Sequence, residues 1–125
     1  MKKTILCFGS ENKGDDLAWE IGKSLENKIP GTDFIRCESP LEIRDHVGKK
    51  FLILDVVKGI EKPRVFTKME DFSVSKKVTA HDLDLSLVLR ILESLEGPKF
   101  RVIGIPFGKK KNEVAEDVRK LISSV

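Results

Sequence analysis

Apolar residues along the chain alternate between short continuous runs and stripes at helical spacing. The runs predict strands at residues 3–8, 34–37, 51–57, 64–69 and 100–105. Stripes with apolar residues every three or four positions predict helices at residues 15–29, 83–95 and 113–125. A shorter helix over residues 40–47 is predicted from Ser39-Pro40, which is typical of an N-cap followed by a first helical residue.

Strand–helix alternation of this kind indicates one three-layer α/β domain over residues 1–125. The expected sheet has about five strands, is mainly parallel and carries helices on both faces. The uninterrupted apolar run 51–57 favours this arrangement, because strands buried on both faces are typical of parallel sheets. Ligands of such sheets bind beyond the carboxyl ends of the strands. That rule directs attention to the segment after Gly9, to Asp55 and to the loop that carries His81.

Composition narrows the class of protein. With 125 residues, 40% of them hydrophobic, the chain is long and apolar enough to form a core, which excludes general disorder. The net charge of +3 is too small to indicate nucleic-acid binding. The apolar runs fall far short of the roughly 20 residues of a membrane span. Two cysteines form no disulfide framework. We therefore expect a cytoplasmic protein without a nucleic-acid or membrane partner, and the abundance of Lys and Glu suits a thermophile.

Two acidic segments are candidates for chemistry. Asp15-Asp16 opens the first predicted helix. Asp15 is explained as a natural N-cap, which leaves a second carboxylate, that of Asp16, available for a site. Asp55 is flanked by apolar residues within a strand, where an unpaired buried charge is costly. Such a carboxylate usually has a cation, a set of backbone donors or a catalytic partner.

His81 precedes the predicted helix 83–95, which is expected to pack on the sheet and so to hold the imidazole over the strand ends. Together, Asp16, Asp55 and His81 make a plausible three-ligand set for a divalent transition metal, with positions left open for substrate or water. The other histidine, His46, is most simply solvent-facing. The run of lysines 109–111 is a solvated loop or, at most, an electrostatic aid to an acidic partner.

The order and spacing of these segments resemble the hydrogenase maturation endopeptidases. Residues 9–16 look like the first-loop motif of that family, in which a glycine precedes an acidic pair. Residues 52–55 resemble its central strand ending in aspartate, and residues 79–81 followed by the apolar helix 83–95 resemble its histidine segment. Residues 102–106 are similar to its late strand.

This resemblance implies a peptidase of aspartic type that clips a short C-terminal extension from the large-subunit precursor of a nickel–iron hydrogenase. It implies that Asp16, Asp55 and His81 are the catalytic and metal-contacting residues. The nickel would be carried by the substrate precursor, with no permanent cofactor of the enzyme. A weak three-ligand site can test whether metal is present and then position the scissile bond, and a bound cation could polarise the carbonyl.

Two alternatives remain open. A response-regulator receiver domain phosphorylated on Asp55 has a similar aspartate after its third strand, although the acidic pair here lies five residues further from the first strand than in receivers. A non-catalytic relative that binds metal or precursor is the other, because the family's Gly-Thr segment after the second strand is replaced by residues 37–40, Cys-Glu-Ser-Pro.

Overall fold

The apolar runs of the sequence form the strands of one sheet in the computed structural model, which describes residues 3–9, 16–38, 40–46, 50–66 and 101–124. The strands are β1 (Lys3–Phe8), β2 (Thr32–Cys37), β3 (Leu52–Val57), β4 (Arg64–Phe66) and β5 (Val102–Pro106). The helices are α1 (Leu17–Leu25) and α2 (Lys111–Ser124), with a 3-10 helix at Pro40–His46.

The sheet has the strand order β2-β1-β3-β5-β4. The pairs β1–β2, β1–β3 and β3–β5 are parallel, and β4 runs antiparallel to β5 at one edge. Cys7 of β1 lies beside Arg36 of β2 and Leu54 of β3, which fixes the register at the centre of the sheet. Since every residue of β3 is buried, this strand is covered on both faces, as its continuous apolar run predicts.

Two apolar clusters cover the two faces of the sheet. The first lies under α1 and α2, and its buried members include Ile21 of α1 and Val118 of α2. The second lies on the opposite face, where Ile43 of the 3-10 helix is 1% exposed. Helices therefore contribute to both layers that flank the sheet, and the predicted α/β architecture is confirmed.

Several predicted boundaries were wrong, for local reasons. Helix α1 ends at Leu25 and not at Ile29, and in the turn that follows the backbone carbonyl of Leu25 accepts the N–H groups of Lys28 and Ile29. The chain then passes Gly31 at φ 73°, a conformation that suits glycine. The last helix begins two residues earlier than predicted, at Lys111.

The predicted short helix over residues 40–47 is a 3-10 helix, Pro40–His46, and Val47 lies outside the described residues. The side chain of Glu42 turns back to accept the backbone N–H of Glu38 (2.6 Å), which holds the segment in a short, tight turn. The predicted helix 83–95 and the end of the predicted strand 64–69 lie outside the described residues. Among the helices that are described, none is long and apolar enough to cross a membrane.

Candidate functional site

Asp55 is the fourth residue of β3 and is only 2% exposed. Along the strand it shares a face with Ile53 and Val57, whose side chains belong to the cluster on the face opposite α1. Its Oδ1 accepts the backbone N–H of Val56 at 2.8 Å. The structure therefore holds a carboxylate in largely apolar surroundings, two residues before the carboxyl end of the central strand. The prediction that this aspartate is buried is confirmed.

Asp16 occupies the N-cap position of α1, but its side chain makes no capping hydrogen bond. Its backbone is already helical, with φ −87° and ψ −1°, whereas a capping side chain usually requires an extended backbone. The backbone carbonyl of Asp16 accepts the N–H of Glu20 at 3.0 Å and so begins the helix. Capping by Asp16 is thus not the reason for this acidic side chain. Asp15, which the sequence predicts as the N-cap, lies outside the described residues.

A groove of about 530 Å³ lies beside Asp16, between α1 and the edge strand β2. Cys7 and Gly22 face each other there, and a Cβ on Gly22 would come within 2.8 Å of the Cys7 Sγ. Glycine at this position therefore lets α1 approach the sheet closely. The described lining residues are Cys7, Asp16, Trp19, Glu20, Gly22, Lys23, Glu26, Phe34 and Arg36.

Trp19 fixes the beginning of α1 to the carboxyl ends of two strands. Its indole Nε1–H donates to the backbone carbonyls of Cys7 (3.0 Å) and Cys37 (3.2 Å). The Cys37 carbonyl also accepts the N–H of Gly9 at 3.3 Å. The Arg36 guanidinium lies 3.7 Å above the centre of the Trp19 ring. These contacts hold the first turn of α1, and with it the Asp16 backbone, at the carboxyl edge of the sheet.

The sequence interpretation missed Trp19. A single tryptophan one helical turn after the acidic pair was the available signal, because a buried indole N–H normally finds an acceptor.

Both cysteines are buried thiols. Burial, followed by the negative charges nearby, raises the pKa of Cys7 to about 12. Burial, followed by the carboxylates of Glu42 and Asp45, raises the pKa of Cys37 to about 12 as well. Because the thiolate is the reactive form, neither cysteine is suited to nucleophilic chemistry near neutral pH.

The predicted set of three ligands is only partly described. Asp16 lies at the start of α1, on one face of the sheet, and Asp55 points from β3 toward the other face. His81 lies outside the described residues. No three His, Cys, Asp or Glu side chains within the described ranges form a group that could hold a metal ion. A metal site of the predicted kind therefore requires His81, and the three-residue site stays a prediction.

His46, predicted to face solvent, is half-buried, with its ring 6.3 Å from that of Phe51. Since it belongs to the 3-10 helix, this contact helps to pack that helix against the amino-terminal approach to β3.

No protein-family model matches the sequence, and neither does any curated protein. Solved structures do match. The [NiFe] hydrogenase maturation protease HybD from Thermococcus kodakarensis superposes with a TM-score of 0.66 at 20% identity, over 97% of this chain and 99% of that one. The maturation protease HycI from the same organism gives 0.62 at 19% identity, over 98% and 90%. A hydrogenase 2 maturation peptidase from a Thaumarchaeota archaeon gives 0.58 at 17% identity, over 98% and 95%.

These similarities extend over nearly the whole of both chains in each pair. At such low identity they establish the fold and not the activity. The fold that the sequence resemblance implied is therefore confirmed.

Proposed function

We propose that this chain, which has the fold of the [NiFe] hydrogenase maturation proteases, is an endopeptidase that removes a short C-terminal extension from the nickel-loaded large-subunit precursor of a nickel–iron hydrogenase. The observation that carries the proposal is the similarity in fold, over 97% of the chain, to a protein named as a [NiFe] hydrogenase maturation protease. The ordered motifs around Gly9, Asp55 and His81 support it independently. Enzyme and precursor would meet in the cytoplasm.

In this proposal, Asp16, Asp55 and His81 contact the nickel of the precursor. Two carboxylates and one imidazole leave coordination positions for ligands from the substrate. The nickel belongs to the substrate, so the enzyme needs affinity for it only when the precursor presents it. Binding at three points would orient the tail so that water attacks the scissile carbonyl, with the C–N bond broken and the proton passing to the leaving amine.

The described residues support parts of this chemistry. The Asp16 carboxylate has no capping role, and the Asp55 carboxylate is 2% exposed. Buried carboxylates are expensive unless they serve a partner or a reaction. A cysteine-peptidase mechanism is disfavoured, because the pKa of each thiol is raised to about 12.

The test uses purified precursor with and without nickel, incubated with the enzyme and weighed by intact-mass spectrometry. We expect a loss of mass equal to a C-terminal peptide only in the nickel-loaded sample. Asp16→Ala, Asp55→Ala and His81→Ala should each abolish the loss while circular dichroism stays unchanged. Asp117→Ala, which removes an exposed carboxylate on α2, is the matched control and should cleave normally. Wild-type rates in the three site variants would refute the assignment.

The receiver-domain alternative finds no support in the topology. Receiver sheets of the flavodoxin-like class have the parallel order 2-1-3-4-5, whereas β5 lies beside β3 here and the edge strand β4 is antiparallel. Labelling of Asp55 by acetyl phosphate would favour the receiver nonetheless. Nickel-dependent binding of the precursor without cleavage would favour the non-catalytic relative.

A further inference from the structure

The segments that follow β3 and β5 are joined at the carboxyl edge of the sheet. The backbone N–H of Phe107, the first residue after β5, donates to the carbonyl of Val57, the last residue of β3 (3.0 Å). The Lys58 Nζ lies 4.5 Å above the centre of the Phe107 ring. Asp55 is only two residues from Val57, so this junction adjoins the carboxylate of the proposed site.

Phe107 is exposed although it is large and apolar. Its side chain is 40% exposed, and no other large apolar side chain in the described part of the chain is exposed. The chain then turns at Gly108 with φ 87°, where a Cβ would meet no atom of the described residues within 4 Å. The three residues that follow, Lys109, Lys110 and Lys111, are all exposed. We call Lys58, Phe107 and these three lysines the basic loop surface.

The stability of the fold does not explain these lysines. They precede and open α2, and cations at a helix N-terminus are unfavourable because the helix dipole is positive there. Glu113 offsets part of this, since its Oε1 accepts the N–H of Lys110 at 2.9 Å. No ion pair joins Lys109, Lys110 or Lys111 to another residue of the described ranges. Their charges are therefore presented to solvent.

We propose that the basic loop surface binds an acidic segment of the hydrogenase large-subunit precursor and holds it beside the proposed site. This inference rests on the proposed function. Lysine ammonium groups suit carboxylates as point charges. The exposed Phe107 ring offers an apolar contact to the same segment. Charge on the rim of a binding site increases the association rate more than it changes catalysis. The surface thus determines how readily the precursor binds, and the carboxylates of the site act after binding.

A protein segment is a better match than a nucleic acid. The chain as a whole carries a net charge of only +3, and the charged residues described in the lining of the groove between α1 and β2 are three acidic and two basic ones. A compact patch of lysines on a chain of low net charge matches a short acidic peptide better than an extended phosphate backbone.

The test compares two triple charge reversals. One is Lys109→Glu, Lys110→Glu and Lys111→Glu. The control is Lys28→Glu, Lys50→Glu and Lys120→Glu, which changes three exposed lysines elsewhere. Lys28 follows α1, Lys50 precedes β3, and Lys120 lies in the second half of α2. Both variants change the net charge equally, so only position distinguishes them.

At low salt we expect the first variant to raise KM for nickel-loaded precursor on the order of tenfold, with kcat within about twofold of wild type. The difference should shrink at high salt, because exposed charges are screened. Phe107→Ser should raise KM by about threefold at either salt concentration. An unchanged KM in the first variant, or an equal rise in the control, overturns the proposal.

Direct binding separates this inference from the proposed function. Suppose that the wild-type protein and the control variant bind precursor without cleaving it, and that the first variant does not bind. The surface is then established and the peptidase function is wrong. If a random-sequence RNA oligonucleotide binds more tightly than the precursor at physiological salt, the surface serves nucleic acid and the proposal is overturned.

Discussion

Replacing Trp19 with phenylalanine removes a donor that connects α1 to the carboxyl ends of both β1 and β2. The indole Nε1–H serves the carbonyls of Cys7 and Cys37 at 3.0 and 3.2 Å. After the change, the Cys37 carbonyl keeps the N–H of Gly9. The phenyl ring still fills most of the space and still faces Arg36. The substitution therefore tests the hydrogen bonds more than the packing.

The expected cost follows from these contacts. Loss of a hydrogen bond together with incomplete satisfaction of buried carbonyls costs about 1–3 kcal/mol. The smaller ring adds a few tenths of a kcal/mol in lost apolar contact, so we expect about 2 kcal/mol. The entropy of unfolding at Tm is about 2.1 cal/mol/K per residue, or about 0.26 kcal/mol/K for a chain of this length. Tm should therefore fall by about 8 °C.

Urea unfolding followed by circular dichroism measures the free energy of unfolding. Hydrogen exchange adds a local measurement, since the amides of Gly9 and Glu20 are bonded next to the lost donor. Both should exchange faster in Trp19→Phe relative to amides in α2. Arg36→Met is the control, because it removes the guanidinium above the ring and leaves the indole bonds. That change should cost less than about 1 kcal/mol, as expected of an exposed cation–π contact.

A loss below about 0.5 kcal/mol in Trp19→Phe, with unchanged exchange at Gly9, would show that the indole bonds do not hold α1 in place. Trp19 would then not be the residue that positions the start of α1 and, with it, Asp16. An equal loss in Arg36→Met would assign the stabilisation to stacking.

Three further predictions concern packing and the buried thiols. Gly22→Ala places a Cβ 2.8 Å from the Cys7 Sγ. The overpacking should cost about 1–3 kcal/mol of unfolding free energy, which outweighs the roughly 1 kcal/mol gained in helix propensity. Cys7→Ala in the same chain should restore part of the loss. Gly104→Ala places a Cβ 2.6 Å from a ring carbon of Phe66 and should lower the unfolding free energy by a similar amount. In a double-mutant cycle, Gly104→Ala should cost less in a Phe66→Leu chain than in the wild type. Because burial raises the pKa of Cys7 and Cys37 to about 12, the folded state keeps protons that the unfolded state releases above about pH 9. Unfolding free energy should therefore fall as pH rises from 9 toward 12, by at most about 1.4 kcal/mol per pH unit for each thiol, and a Cys7→Ala/Cys37→Ala variant should lose that part of the dependence.

The sheet could be predicted because its signals are local. A continuous apolar run such as β3 has few alternatives to a strand buried on both faces, and the stripe of α1 requires one apolar face. The 3-10 helix could not be distinguished from an α-helix, because the distinction depends on how Glu42 bonds back to the chain. Helix ends were misplaced for the same reason, since hydrogen bonds at the termini determine them.

The candidate site was predictable in part. An aspartate inside an apolar run is unusual enough to be noticed, and the burial of Asp55 agrees with that reasoning. Trp19 could not be placed from the sequence, because its acceptors belong to two strands whose register is a property of the whole sheet. The position of the lysine run 109–111 could not be predicted from the sequence. It depends on the hydrogen bond from the Phe107 N–H to the Val57 carbonyl, which holds Phe107 beside the carboxyl end of β3.

The convergence of Asp16, Asp55 and His81 on one ion is most directly tested by diffraction at the nickel absorption edge, from crystals of the protein grown with nickel and a C-terminal precursor segment. We predict one anomalous peak with a side-chain atom of each residue at about 2.0–2.3 Å. A peak coordinated by other residues, or three side chains too far apart to share any ion, would contradict it.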